Sequence, residues 1–193
     1  MIYTLPWKGM NRSHITQKFH STHQGLDIAG VLPFLSRGYG VPLCAPENCR
    51  IERIFGNEFT PDSHAGLTRG YGVWFTGLET GNVHVFWHTQ PILPVWGGQI
   101  VSRGKILAFM GNSGLVWSDN VFVPVEERTK KPHAGTHLHW EVYPAGHEIG
   151  FFGSKDRKDP ASLLNFNWQP NYTTMDLLSS FVTVLNKMSS LIK

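Results

Sequence analysis

Residues 72–88 constrain the fold more than any other stretch of this chain. Gly72-Val73-Trp74-Phe75-Thr76-Gly77 is a short apolar run closed by glycines, and Gly81-Asn82 is a turn pair. Val83-His84-Val85-Phe86-Trp87-His88 is a second run rich in β-branched and aromatic residues. Two such runs on either side of a turn signal predict neighbouring antiparallel strands. The same rhythm extends both ways. Val41-Pro42-Leu43-Cys44 and Arg50-Ile51-Glu52-Arg53-Ile54 read as a hairpin around Ala45-Pro46-Glu47-Asn48. Gln99-Ile100-Val101 lies between Gly97-Gly98 and Arg103-Gly104, and Ile106-Leu107-Ala108-Phe109-Met110 stops at Gly111-Asn112-Ser113-Gly114. His137-Leu138-His139-Trp140-Glu141-Val142-Tyr143 closes the series. With 20 glycines, 12 prolines and 12% aromatic residues, the composition leans toward a loop-rich β protein. The predicted class is mainly β: a two-sheet antiparallel sandwich-like domain with long loops and a C-terminal amphipathic helix.

Two stretches interrupt the strands, residues 55–70 and 115–135, and both read as long loops that wall or cover a site. The tail differs in kind. Thr173-Thr174-Met175-Asp176 is a capping-box pattern, and Leu178, Phe181, Leu185, Met188 and Ile192 recur at spacings of 3 and 4. These signals predict a helix over about 174–192, with a second face rich in Ser and Thr. They divide the chain into a domain over 1–160 and an extension over 161–193. The helix either docks on the domain or offers a surface for self-association or a partner.

The 193 residues are 41% hydrophobic, enough to bury a core, and carry a net charge of +3. The densest basic run is Arg128-Thr129-Lys130-Lys131, too sparse for a nucleic-acid partner. No apolar stretch is long enough for a membrane span. The first nine residues, Met1 to Gly9, lack the basic and apolar regions of a signal peptide. Cys44 and Cys49 either close a small loop as a disulfide or stay as two thiols.

The chemistry is carried by His23-Gln24-Gly25-Leu26-Asp27, by His88, and by His137-Leu138-His139. On a strand, residues two apart share a face, so His137 and His139 project together, as do His84, Phe86 and His88. Gly25 permits a tight turn between His23 and Asp27. Two imidazoles and one carboxylate are the donor set of a catalytic zinc site, which keeps a position open for water. His23, Asp27 and His139 are the candidate Zn2+ ligands, and His88 and His137 the candidate proton-handling groups. His84 reads as structural. Glu141 reads as a surface charge on the strand rather than as a group orienting a ligand. His14, His20, His64, His133 and His147 have no partner spacing.

From Ile15 to Tyr143 these elements resemble the lysostaphin/LytM-type zinc peptidases of bacterial peptidoglycan. His23-Gln24-Gly25-Leu26-Asp27-Ile28 is similar to the family's H-x-G-x-D element, and Gly40-Val41-Pro42-Leu43-Cys44-Ala45-Pro46 to its next strand and turn. Phe86-Trp87-His88 stands where the family has an aromatic-x-His. Gln99 to Lys105 and Met110 to Gly114 resemble its Gly-rich turns, and His137-Leu138-His139-Trp140-Glu141-Val142 resembles its H-x-H strand. The departures are a longer gap from Gly114 to His137, extra residues at 55–70, Thr136 in place of a usual Pro, and Cys49 in place of a usual turn Gly. The resemblance implies one zinc held by His23, Asp27 and His139, with His88 and His137 flanking the attacked carbonyl. It implies an endopeptidase acting on peptidoglycan crosslinks or stem peptides, and the absent signal peptide suggests a bacteriophage cell-wall lysin. The alternative is a structural or binding protein of virion or envelope that uses the same domain without hydrolysis.

Overall fold

The computed structural model describes residues 3–29, 38–55, 69–118, 120–149 and 156–191. Seven strands form one antiparallel sheet. In chain order these are β1 (Ile15–Gln17), β2 (Leu26–Ile28), β4 (Cys49–Phe55), β5 (Gly72–Gly77), β6 (Val83–Trp87), β7 (Ile100–Val101) and β11 (Leu138–Tyr143). Their order across the sheet is β1-β2-β11-β6-β5-β4-β7, so the last strand in sequence sits near the middle. A second, two-stranded sheet pairs β3 (Pro42–Cys44) with β8 (Ile106–Phe109). The mainly β, antiparallel class expected from the sequence is the one observed.

The predicted pairing of residues 72–77 with 83–88 holds: Trp74 faces Val85 and Gly72 faces Trp87 across β5 and β6. These runs are apolar at nearly every position because the sheet is covered on both faces. On one face Leu26, Ile28, Phe75, Phe86 and Trp140 pack with Leu43 and Leu107 of the small sheet into the main core. On the other, Trp74, Val83, Val85, Trp87 and Tyr143 form a second cluster. Among the described residues no helix is long and apolar enough to cross a membrane.

Two expectations about strands and loops are corrected. Residues 41–44 and 50–54 do not form a hairpin. β3 pairs with β8, while β4 pairs with β5 and β7. The chain changes sheets at Pro46-Glu47 because the Ala45 N–H and C=O bond to Lys105 and Gly104 instead. Cys44 and Cys49 are therefore in different layers, both buried and both free thiols. Residues 115–135 are not a structureless loop. They hold the hairpin β9 (Trp117–Ser118) with β10 (Val121–Phe122) and the helix α1 (Val125–Lys130). Buried Arg128 ties this unit down, donating to the Val123 and Asn112 carbonyls. Of the other expected loop, residues 56–68 lie outside the described residues.

Past the short helix α2 (Pro160–Leu163), the chain runs back along its own start. Tyr3 exchanges backbone bonds with Leu163 and Asn165, and Leu5 bonds to Trp168. The tail helix α3 (Thr174–Leu191) forms as predicted, with Thr173 and Asp176 capping each other. Its docked face is the unexpected one. Leu177 and Val184 pack on Cys44, Ile106 and Phe109, and the Lys187 Nζ donates to the Leu93 and Val95 carbonyls at 2.6 Å each. The stripe read from spacing faces outward: Leu178, Phe181, Leu185 and Met188 are exposed. Ile192 lies outside the described residues.

Candidate metal centre and its flanking histidines

Register builds the centre. β2 and β11 pair so that Asp27 lies directly opposite His139, and both leave the sheet on the face away from the main core. Leu26 and Ile28 alternate to the other side and are buried there. His23 sits in the turn before β2, which His20 and His23 close with reciprocal backbone bonds. Gly25 has a packing reason to be glycine, because a Cβ there would run into the His139 ring. His23, Asp27 and His139 each bring one ligand atom to within 4.8 Å of the others. The His139 Nδ1 is 2.6 Å from Asp27 Oδ1, and the His23 Nε2 is 3.2 Å from Asp27 Oδ2. These are the three residues selected as ligands from the sequence.

The donor chemistry suits a cation. A histidine that binds a metal through one ring nitrogen needs an acceptor to hold the proton on the other. The His23 Nδ1 is 3.2 Å from the Lys18 carbonyl, which leaves Nε2 facing Asp27. His139 is reversed: its Nε2 is 3.1 Å from Glu141 Oε1, which leaves Nδ1 facing Asp27. Each ring therefore turns one nitrogen inward and has the other secured by an oxygen that can only accept. The set of two imidazoles and one carboxylate fits zinc.

His88 and His137 stand beside this trio, their ring centroids 4.6 Å apart and that of His88 6.0 Å from His139. Strand alternation does not explain the position of His88. It lies one residue past β6 with φ at +61°, a left-handed conformation that ends the alternation and swings the ring across to His137. His84, placed on the same face by simple counting, points the other way. It is fully buried in the core, with its Nε2 3.1 Å from Glu47 and its Nδ1 accepting from the Trp140 indole at 3.3 Å. The structural reading of His84 stands.

Both flanking rings are held in one orientation. The His88 Nδ1 donates to the Ser113 carbonyl at 2.7 Å, and the His137 Nδ1 donates to the Gly135 carbonyl at 2.8 Å. A carbonyl can only accept, so both rings carry their proton on Nδ1 and keep Nε2 as a lone pair. That of His137 lies 3.9 Å from Asp27 Oδ2. Burial pushes both pKa values down from 6.5, and His88 falls further because His137 and His139 add positive charge nearby. Both are neutral bases at pH 7. His139 behaves oppositely: burial alone would lower it, but Asp27 and Glu141 outweigh this and raise it to about 9. Burial would raise the Asp27 carboxyl, yet His139 and His23 hold it well below the usual range. His23, Asp27, His137 and His139 are 13% to 17% exposed, so the centre opens to solvent on one side.

Sequence reasoning missed the group behind His139. Glu141 is not a surface charge; it has no exposed side-chain area. Its carboxylate accepts from Tyr143 Oη at 2.6 Å and pairs with Arg69 and Arg157. The signal for Glu141 was present, since it continues the face of His137 and His139. Nothing in the local pattern marks Arg69 or Arg157. Ser113 also matters: its Oγ donates to the Thr89 carbonyl and accepts from the Tyr71 N–H, which fixes the carbonyl that holds His88.

No protein-family model matches this sequence, nor does any curated protein. A solved structure shares the fold. LytU superposes with a TM-score of 0.51 at 24% identity, covering 79% of this chain and 84% of that one. The catalytic domain of the antimicrobial peptidase lysostaphin from Staphylococcus simulans gives 0.45 at 15% identity, over 84% and 87% of the two chains. A catalytic domain of the prophage-encoded M23 protein EnpA from Enterococcus faecalis gives 0.42 at 17%, over 79% and 92%. The resemblance read from the motifs thus holds at the level of the fold, which is that of LytU.

Proposed function

We propose that this chain is a zinc-dependent endopeptidase that hydrolyses peptide bonds of bacterial peptidoglycan. One observation carries the reading: three inward-facing ligand atoms from His23, Asp27 and His139 lie beside two neutral histidines whose Nε2 lone pairs are free. Zinc held by that trio supplies a Lewis acid that polarises a carbonyl and makes water a better nucleophile. The chain's own residues handle the protons. A neutral Nε2 of His137 or His88 accepts the proton of the attacking water. Burial makes the resulting imidazolium a stronger acid than a free histidine, so it readily passes that proton to the leaving amine. The Ser113 and Gly135 carbonyls keep each ring aimed at the site through the cycle. Peptidoglycan as substrate is supported by the motif resemblance of residues 15–143.

The test is muropeptide mass spectrometry after digestion of purified walls of several crosslink types. Zinc-loaded and zinc-stripped protein are compared. New peptide termini are expected only from the zinc-loaded protein, and their identity names the bond. Cleavage that persists after metal analysis has confirmed removal overturns the zinc dependence. A lack of new termini on every wall type, from protein shown to hold zinc, overturns the substrate.

A further inference from the structure

We infer that Glu141 is the positioning residue of the metal centre: it holds His139 as a ligand and, through Arg157, braces the turn that carries His23. The inference rests on the zinc reading proposed above and extends it to a residue behind the ligands. Glu141 lies two residues after His139 on β11, on the same face and without exposed side-chain area. Its Oε1 is 3.1 Å from His139 Nε2. A carboxylate there can only accept, so His139 keeps a proton on Nε2, and Nδ1, 2.6 Å from Asp27, is the nitrogen that would face a metal. Such support fixes ring orientation and raises ligand basicity.

The same carboxylate is itself held by three further side chains. Tyr143 Oη donates to Oε2 at 2.6 Å, Arg69 pairs with Oε1, and the Arg157 Nε is 3.6 Å from Oε2. Arg157 also reaches forward, donating to the Gln24 side-chain oxygen at 3.2 Å. Gln24 follows His23 directly, so one buried carboxylate links the supports of two ligands on separate segments. Gly25 packs closely on the His139 ring, which a Cβ there would run into. The ring is thus held by its bond to Glu141 and by close packing on Gly25.

Zinc affinity, measured by competition with a chromogenic chelator, tests this on the full chain as wild type, Glu141→Ala, Glu141→Gln and Glu47→Gln. Glu141→Ala is expected to weaken zinc binding by about 10- to 100-fold. Glu141→Gln should lose less, because its amide oxygen still accepts from the Nε2 proton. Glu47→Gln, a buried carboxylate removed elsewhere in the fold, should keep wild-type affinity despite lower stability. Histidine proton–nitrogen NMR of the zinc-loaded protein should show His139 protonated on Nε2, with its signal displaced in Glu141→Gln. A folded Glu141→Ala that binds zinc as tightly as wild type overturns the inference. Should that variant fail to fold, Glu141→Gln with unchanged affinity and an unchanged His139 signal overturns it instead. Wild type that takes up no zinc overturns both this inference and the function proposed above. Loss of affinity at Glu141, in a protein that binds zinc but cleaves no wall, supports the positioning role while refuting the substrate.

Discussion

Changing Glu47 to Gln should destabilise the fold through a proton that has nowhere to go. Glu47 Oε2 accepts from the backbone N–H groups of Glu79 and Thr80, at 3.2 and 3.1 Å. Its Oε1 accepts from Thr80 Oγ1 at 2.7 Å and faces His84 Nε2 at 3.1 Å. Glutamine can keep the two backbone donors only by turning its amide toward His84, which sets one N–H against another. His84 cannot escape by moving its proton to Nδ1, because the Trp140 indole N–H already points there at 3.3 Å. One buried donor without a partner costs about 1–3 kcal/mol, and the bonds that remain weaken once the charge is gone. The expected loss is about 2–4 kcal/mol, which lowers Tm by roughly 5–15 °C for a chain of this size. Urea unfolding at constant m-value measures it. The tautomer argument makes a sharper claim. With Trp140→Phe in the background, His84 is free to shift its proton, so the cost of Glu47→Gln should fall by about 1 kcal/mol. A Glu47→Gln protein within about 0.5 kcal/mol of wild type, or a double mutant whose costs simply add, would refute the reasoning.

Acid should act on this same pair in two windows. Burial lowers the His84 pKa, so the unfolded chain binds a proton that the fold refuses, and stability should begin to fall as pH drops below 6.5. Burial would raise Glu47, but its bonds to His84 and Thr80 lower it overall, which adds a further loss as pH falls through and below 4.5. Stability by urea titration that stays flat from pH 7 to 4 contradicts both signs. His137→Ala should keep zinc stoichiometry while turnover on wall substrate drops by about 10²- to 10⁴-fold. Metal analysis and product assay on one sample decide it. Gly25→Ala pushes a methyl at the His139 ring, so zinc affinity should fall by about tenfold or more with secondary structure retained; competition titration and circular dichroism test this together. Lys187→Met leaves the Leu93 and Val95 carbonyls without their donor, at about 1–3 kcal/mol, and hydrogen exchange in α3 should accelerate before exchange in the sheet does.

What the sequence revealed follows from the range of each signal. Residues 72–88 were legible because pairing, turn and composition all lie within one short window. The proximity of His23, Asp27 and His139 was legible because Asp27 and His139 fall on strands whose side-chain direction is set by counting. His88 could be named but not placed, since a left-handed residue ends the count at the one position that matters. Residues 41–54 misled because local turn residues cannot announce that Ala45 bonds to Gly104 and Lys105 rather than across to the next strand. In α3 the periodicity gave the helix correctly but not its docked face, because Lys187 and Val184 settle the docking through carbonyls and side chains far away in sequence. Residues 115–135 held readable helix signals, with Pro124 leading Glu126 and Glu127 and then Arg128 and Lys130, although the segment was too short for an apolar stripe.

The place of β11 has a consequence for synthesis. It is the last strand made, yet it inserts between β2 and β6, joining two halves that do not otherwise touch edge to edge. A chain still emerging from the ribosome, before residue 138, has two unpaired strand borders and lacks His139 of the candidate metal centre. Such an intermediate is exposed to pairing with its neighbours. Molecules interrupted in this interval should be found in aggregates rather than in the folded fraction. The topology therefore withholds the candidate metal centre until β11 has been made.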